Sequence, residues 1–263
     1  MKKISFIGAG NMAYAMADAL FNGSKESTIG VYDIDSNRVK LFLNSFNTAV
    51  EYPSIKSLAD SSDIVILAVK PQIIDIVLAD LVDCNKIVVS IAAGISLESL
   101  VEKLPKAFVT RVMPNTPSLV GEMAAGVSFS KTMSEKQKSD VLSFLNYSGM
   151  AIEVEDESMD AVTGISGSGP AFAARIMNHF INAGIDQGLD SQTSRKLALN
   201  TFLGTAKLLL EKDMEIEELI KMVSSPGGTT VAGREILESS NIEKIIKETV
   251  IATVKRSKEL GGK

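Results

Sequence analysis

The run Gly8-Ala9-Gly10-Asn11-Met12-Ala13 constrains the fold of this chain more than any other stretch. It stands between a short β-branched run, Ile4–Ile7, and a helical pattern over Asn11–Phe21. In that strand–turn–helix setting a G-x-G-x-x-A run has a mechanical reading. Gly8 permits a tight turn, Gly10 lets the backbone approach a pyrophosphate, and Ala13 keeps the helix close to the strand. The helix start at Asn11 and Met12 offers free N–H groups and a positive dipole end to the phosphates.

Strand and helix patterns go on alternating down the chain. Thr28–Tyr32 reads as a strand and Ser36–Leu43 as a helix; Ile64–Ala68, Ile87–Ile91 and Phe108–Val112 are further strands, with a helix over Leu97–Leu104. Ile64–Ala68 is almost continuously apolar, as expected of a strand covered on both faces. This alternation predicts an α/β Rossmann domain with a doubly wound, mostly parallel sheet. Ala125–Ser130 and Ala151–Val154 add two strands around a helix near Glu135–Leu145. After Glu155 the β pattern stops, and Met159 to Leu260 reads as helix almost throughout. The expected division is a dinucleotide-binding domain over residues 1–155 and an all-α dimerisation domain over residues 156–263. No Gly/Ser-rich linker separates them. Segments such as Ala198–Leu210 are apolar around much of the helix, which predicts packing against another copy of the chain.

Composition excludes some partners. The chain has 263 residues, a formal net charge of −5 and no basic patch, so nucleic acid is not an expected partner. Cys84 is the only cysteine, which fits a reducing compartment. No run approaches the roughly 20 apolar residues of a membrane span, and the expectation is a cytoplasmic protein without a membrane partner. Neither half carries a His/Cys/Asp cluster at metal-ligand spacing, so no metal is expected. His179, the only histidine, lies mid-helix and reads as a packed or interface side chain.

Several residues belong with the fingerprint. Asp33 ends the second strand, where a carboxylate accepts hydrogen bonds from the adenosine ribose and repels a 2′-phosphate. That favours NADH, although Ser36, Asn37 and Arg38 would hold a phosphate if Asp33 turned away. Ala68-Val69-Lys70-Pro71 closes the Ile64–Ala68 strand. Pro71 stops it and leaves Lys70 at its carboxyl end, the edge where open α/β sheets bind ligands. The small residues Ala92, Ala93 and Gly94 leave room for a flat ring beyond the next strand, and Pro114 and Pro117 stiffen the loop around Asn115 and Thr116.

A second constellation lies far along the chain. Ser224-Ser225-Pro226-Gly227-Gly228-Thr229-Thr230 sets two glycines among four hydroxyl side chains just ahead of a helical pattern. Free N–H groups around Gly228 and Thr229, with the Ser225 hydroxyl, suit a small carboxylate. The run also reads as an inter-helix turn with Thr230 as a cap.

These motifs together resemble the Δ1-pyrroline-5-carboxylate reductase family. The resemblance runs end to end, through Gly8–Ala13, Ala68–Pro71, Arg111–Pro117, Gly164–Phe172 and Ser225–Thr230. It implies a Rossmann domain, a helical domain that interlocks with a partner subunit, and an active site at the dimer interface of a homo-oligomer built from dimers. It implies reduction of a cyclic imino acid to L-proline by NADPH or NADH. Ser225, Gly227, Gly228, Thr229 and Thr230 then bind substrate, and Thr230, matching the family threonine that hydrogen-bonds the ring nitrogen, is the expected catalytic residue, orienting the imine or relaying a proton. Two departures stand out. Asp33 occupies a place where NADPH-using members carry small hydroxyl or other non-acidic residues, and Lys212–Glu215 lacks a His-Pro often seen there. Two rivals remain open. A 6-phosphogluconate-dehydrogenase-like β-hydroxy acid dehydrogenase would need a catalytic lysine, and Lys196 and Lys207 lack its glycine-rich context. A catalytically silent NAD(P) sensor would have no need of the Ser225–Thr230 run.

Overall fold

The computed structural model describes residues 2–24 and 26–261. It contains two compact units: one holds the chain up to Ser168 together with the residues from Thr253 onward, and the other holds Gly169–Ala252. The first unit runs through β1 (Lys3–Ile7), α1 (Asn11–Gly23), β2 (Thr28–Tyr32), α2 (Ser36–Ser45), β3 (Ala49–Glu51), α3 (Ile55–Asp60) and β4 (Ile64–Leu67). It continues with α4 (Ile74–Ala79), β5 (Ile87–Ser90), α5 (Leu97–Lys103), β6 (Phe108–Met113), β7 (Met123–Phe129), α6 (Glu135–Leu145), β8 (Gly149–Glu153) and the short α7 (Met159–Val162).

The strands form one sheet in the order β3-β2-β1-β4-β5-β6-β7-β8. All pairings are parallel except β6 with β7. The order reverses between β1 and β4, which is where an open α/β sheet leaves a crevice at the strands' carboxyl ends. Ile64–Leu67 is buried along its whole length, as its unbroken apolar run requires. Apolar clusters fill both faces of the sheet. Phe6, Tyr14, Phe42 and Phe46 stack in one of them, with ring centroids 5.2–6.0 Å apart. Leu58, Leu67, Leu78 and Leu100 anchor the other. Each such side chain contributes about 1.5–3 kcal/mol when fully buried.

Short polar side chains start the helices. Asp35 caps α2 and Ser96 caps α5, while Ser134 with Gln137 forms a capping box on α6. Three elements escape the sequence pattern. β3 has three residues at the sheet edge, and α3 and α4 have six each, too few to show a period.

The second unit contains α8 (Gly169–Asp186), α9 (Ser191–Lys212), α10 (Ile216–Met222), α11 (Thr229–Glu238) and most of α12 (Ile242–Leu260). α8 and α9 pack as a pair, with Phe180 edge-on to Phe202 at 5.2 Å and the Ser194 hydroxyl donating to the Ile181 carbonyl at 2.7 Å. Among the described residues of this unit only Ser194 is buried in a single chain. Leu210 and Ile236 are 79% and 75% exposed, and Leu197, Leu203 and Ile216 are also exposed. These helices have apolar faces and no core of their own to cover them.

Candidate active site

The turn between β1 and α1 lies at the sheet's switch point. Gly8 adopts φ +95°, and a Cβ there would stand 2.7 Å from the Ala68 carbonyl oxygen. Only glycine lets this turn lie against the end of β4. The Gly8 N–H donates to the Tyr32 carbonyl at 2.8 Å and Tyr14 N–H to the Gly10 carbonyl at 2.9 Å, so the turn is bound to β2 and leads straight into α1. Gly10 has open space beside it, its nearest neighbour being Arg38 Nη1 at 4.0 Å from an added Cβ. Ala13 is fully buried against the sheet, as the fingerprint demands.

Two adjoining cavities open from this turn. The larger, about 780 Å³, is lined by Gly8, Gly10, Asn11, Asp33, Arg38 and Lys70 among others. The smaller, about 290 Å³, is bordered by Met12, Ala13, Ala68, Lys70, Ala93 and Pro114. Lys70 faces both, at the carboxyl end of β4, where Pro71 opens a 3-10 turn. An elongated dinucleotide fits this arrangement: bare backbone at Gly8 and Gly10 for a diphosphate, the N-terminus of α1 behind it, and a small-residue chamber beyond.

The remaining expected contacts are distributed unevenly. Ala93 borders the small chamber, whereas Ala92 is buried in the core and does not line it. Asn115 is also buried, and both ends of its amide are engaged within the first unit. Its Oδ1 accepts the Ala124 N–H at 3.0 Å and its Nδ2 donates to the Ser166 carbonyl at 3.2 Å. Asn115 therefore braces β7 and the turn around Ser166, and it lines neither of these two cavities. β4 already ends at Leu67, so Pro71 does not stop the strand; it opens the 3-10 turn after Lys70 and likewise lines neither cavity.

The Gly164–Pro170 motif is a π-helical turn, Thr163–Gly167, closed by the Ser168 N–H on the Thr163 carbonyl at 2.9 Å. Such turns are rare and recur at functional positions. Pro170 then sits in the first turn of α8.

Ser225–Thr230 leads directly into α11. The Gly228 N–H donates to the Ser225 carbonyl at 2.9 Å, so that donor is engaged within the turn. Gly228 is the N-cap of α11, and no side chain caps this end. The donors left for an anion are the N–H groups of the helix's first turn, from Thr229 onward. An added Cβ at Gly228 would lie 2.8 Å from Ser225 Oγ, so the glycine makes room for that hydroxyl beside the uncapped end. Gly227 supports the turn at φ +69°. Thr230 lies one residue inside the helix and does not act as its N-cap.

Two further side chains brace these segments. Arg234 donates from Nη1 to Ser224 Oγ at 3.4 Å, tying α11 back to the start of the turn. Arg111 pairs with Asp156 inside the first unit. A charged residue within the apolar strand Phe108–Met113 is the available signal, since such a side chain needs a partner.

Comparison with known proteins gives a consistent result. Residues 156–260 match the family model described as pyrroline-5-carboxylate reductase dimerisation. Residues 3–94 match that described as NADP oxidoreductase, coenzyme F420-dependent. The pyrroline-5-carboxylate reductase of Methanosarcina acetivorans is 37% identical over 100% of this chain and 99% of its own. A solved structure of a pyrroline-5-carboxylate reductase from Coxiella burnetii superposes with a TM-score of 0.94 at 32% identity, covering 98% of both chains. That of Plasmodium falciparum pyrroline carboxylate reductase, with NADP bound, gives 0.84 at 30% identity over 99% of this chain and 98% of the other.

Proposed function

The chain belongs to the pyrroline-5-carboxylate reductase family, and from that premise we propose how its residues carry out the reaction. The enzyme reduces Δ1-pyrroline-5-carboxylate to L-proline with a hydride from NAD(P)H, the last step of proline biosynthesis. Its helical part is a dimerisation domain, so the working form is a homo-oligomer. Among the described residues no helix is long and apolar enough to cross a membrane.

The observation that carries the mechanism is the uncapped start of α11. Substrate brings one carboxylate and one C=N bond. The N–H groups from Thr229 onward and the Ser225 hydroxyl receive the carboxylate, aided by the helix dipole, which contributes about 0.3–1 kcal/mol when exposed and up to about 2 when partly buried. The Thr230 hydroxyl orients the ring nitrogen. Gly8, Gly10, Asn11 and Met12 hold the dinucleotide's diphosphate, Ala13 keeps α1 against the sheet, and Lys70 lies at the junction of the two cavities. The bound nicotinamide supplies the hydride. An imine arriving as its iminium carries its own proton, so hydride transfer to carbon gives the amine directly. The chain's task is then largely positioning, which is worth several orders of magnitude in rate.

We assign residues 1–155 to dinucleotide binding and 156–263 to dimerisation and substrate binding, and place the reacting centre between the crevice of one copy and the Ser225–Thr230 turn of its neighbour. The dimerisation match and the uncovered apolar helices support this. A homo-oligomer built from such dimers needs neither nucleic acid nor membrane. The direct test is loss of the reduced nicotinamide's absorbance on adding pyrroline-5-carboxylate. Turnover to proline is expected, and oxidation of a β-hydroxy acid instead would overturn the reading.

A further inference from the structure

Asp33 directly follows β2 at the rim of the larger cavity. Its carboxylate does not turn away from the crevice. Oδ2 accepts the Ala9 N–H at 2.6 Å and Oδ1 accepts the Asp35 N–H at 2.8 Å. These donors come from the backbone of the two turns bordering the rim, so the carboxylate is fixed from both sides. Each carboxylate oxygen has two acceptor directions, and one on each remains for a ligand hydroxyl.

Arg38 is the cation that a 2′-phosphate would require. Its Nη1 points at the Ala9 carbonyl, 3.4 Å away, and its Nε lies 3.8 Å from Asp35 Oδ2. Asp35 is itself held in place by accepting the Asn37 N–H at 2.9 Å. Arg38 is therefore already engaged by the Ala9 carbonyl and the anchored Asp35 carboxylate. Over the whole cavity lining, Asp33, Asp35 and Asp80 stand against Arg38 and Lys70. Arg38 keeps a planar face for an adenine ring, a contact common to both nicotinamide cofactors.

We propose that this crevice selects NADH over NADPH, and that the backbone-anchored Asp33 is the residue that decides it. The proposal rests on the crevice being the dinucleotide site described above. A ribose with free 2′ and 3′ hydroxyls donates to the open acceptor directions of Asp33. A 2′-phosphate has lost that donor and carries about −1.5 to −2 charges at neutral pH. It meets a carboxylate that cannot rotate aside without releasing Ala9 and the fingerprint turn.

The test uses calorimetric titration of the full chain with ADP-ribose and with 2′-phospho-ADP-ribose, and then with NADH and NADPH. The expected result is at least about tenfold tighter binding of the ligands without the 2′-phosphate, equivalent to about 1.4 kcal/mol. Asp33→Asn keeps an acceptor for the Ala9 N–H and removes the charge. It is expected to shrink the ratio at least about fivefold, chiefly by tightening the phosphorylated ligands. Asp33→Ser, titrated beside it, shows how far the fingerprint turn depends on the lost acceptor, since that loss weakens both ligands together. Equal or tighter binding of the 2′-phosphate ligands by the wild type overturns the proposal, as does an unchanged ratio in Asp33→Asn. Failure of all four ligands to bind overturns both the proposal and the site. Because no imine is present, selective NADH binding without reduction of pyrroline-5-carboxylate would uphold the selectivity and sink the reductase function.

Discussion

Arg111 on β6 donates from Nη1 to Asp156 Oδ1 at 2.7 Å, and Asp156 Oδ2 accepts the Leu97 N–H at 3.3 Å. One carboxylate thus joins a sheet strand, the head of α5 and the segment that leaves β8. The Arg111 side chain is 8% exposed and that of Asp156 21%, so water screens the pair only in part. Asp156→Ala leaves the guanidinium buried and unpaired, and is expected to destabilise the fold by about 3 kcal/mol, the lower end for a broken buried pair. Urea unfolding measures it, and a loss below about 1 kcal/mol, the level of an exposed pair, would contradict the assignment.

Gly8→Ala tests the fingerprint turn. The new methyl would stand 2.7 Å from the Ala68 carbonyl, on a backbone with φ +95°. Binding of either reduced cofactor is expected to weaken at least about tenfold, with a loss of roughly 1–3 kcal/mol in stability from the strained position. Fluorescence titration and thermal melting read the two effects separately. An unchanged affinity would remove the turn from the cofactor site.

Thr230→Ala is expected to lower kcat about 10-fold or more, the scale of a positioned proton-handling group. Cofactor affinity should stay as it is, and Thr230→Ser should recover much of the rate. Since Gly228 and not Thr230 is the N-cap of α11, the loss is not expected to lower the melting temperature much. A large drop in stability with normal turnover would make Thr230 structural.

Asp190 offers a pH test of the helical unit. It caps α9 by accepting the Gln192 and Thr193 N–H groups at 3.0 Å each. The Thr193 hydroxyl and then its N–H hold the Asp190 carboxyl below the usual carboxylate range. A folded-state pKa below the unfolded one gives stability that is full above about pH 4 and lost as pH falls through the folded value. Asp190→Asn should therefore melt lower than wild type at neutral pH, with the gap closing in acid. A gap that widens as pH falls would reverse the sign and refute it.

Much of this was legible in the chain. The strand over Thr28–Tyr32 and the helix over Glu135–Leu145 have the bounds their patterns suggested, because β-branched runs and capping residues delimit them. The glycine-rich turn is legible in Gly8–Ala13 and the ligand-facing edge in Ala68–Lys70, whereas the strand order that sets β4 beside β1 is not. Orientation of polar side chains was not legible. Asn115 sits in a loop that reads as ligand-facing, yet its amide is drawn inward by Ala124 and Ser166, partners 9 and 51 residues away. Gly228 looked like an anion donor, but its N–H closes the turn on Ser225. Local pattern gives residue type and spacing, while such bonds depend on tertiary neighbours.

The compact units divide at Ser168, and residues from Thr253 onward return to the first of them. The β pattern ends earlier, at Glu155, because the turns and short helix beyond it pack on the sheet. Asp160, for example, accepts the Ser257 hydroxyl at 2.6 Å. A contact between positions 97 residues apart leaves no mark on periodicity.

Subunit mixing tests the shared reacting centre most directly. One tagged copy would carry Gly8→Ala, and a second, with a different tag, Ser225→Ala and Thr230→Ala. Assayed with cofactor well below the wild-type Kd, each is expected to keep about a tenth or less of wild-type turnover as a homo-oligomer. Co-expression should restore about one quarter of wild-type turnover, because half of the two-fold dimers are mixed and each of those regains one intact site of two. Activity no greater than the average of the two homo-oligomers would mean that crevice and turn act within a single chain, and would contradict the account.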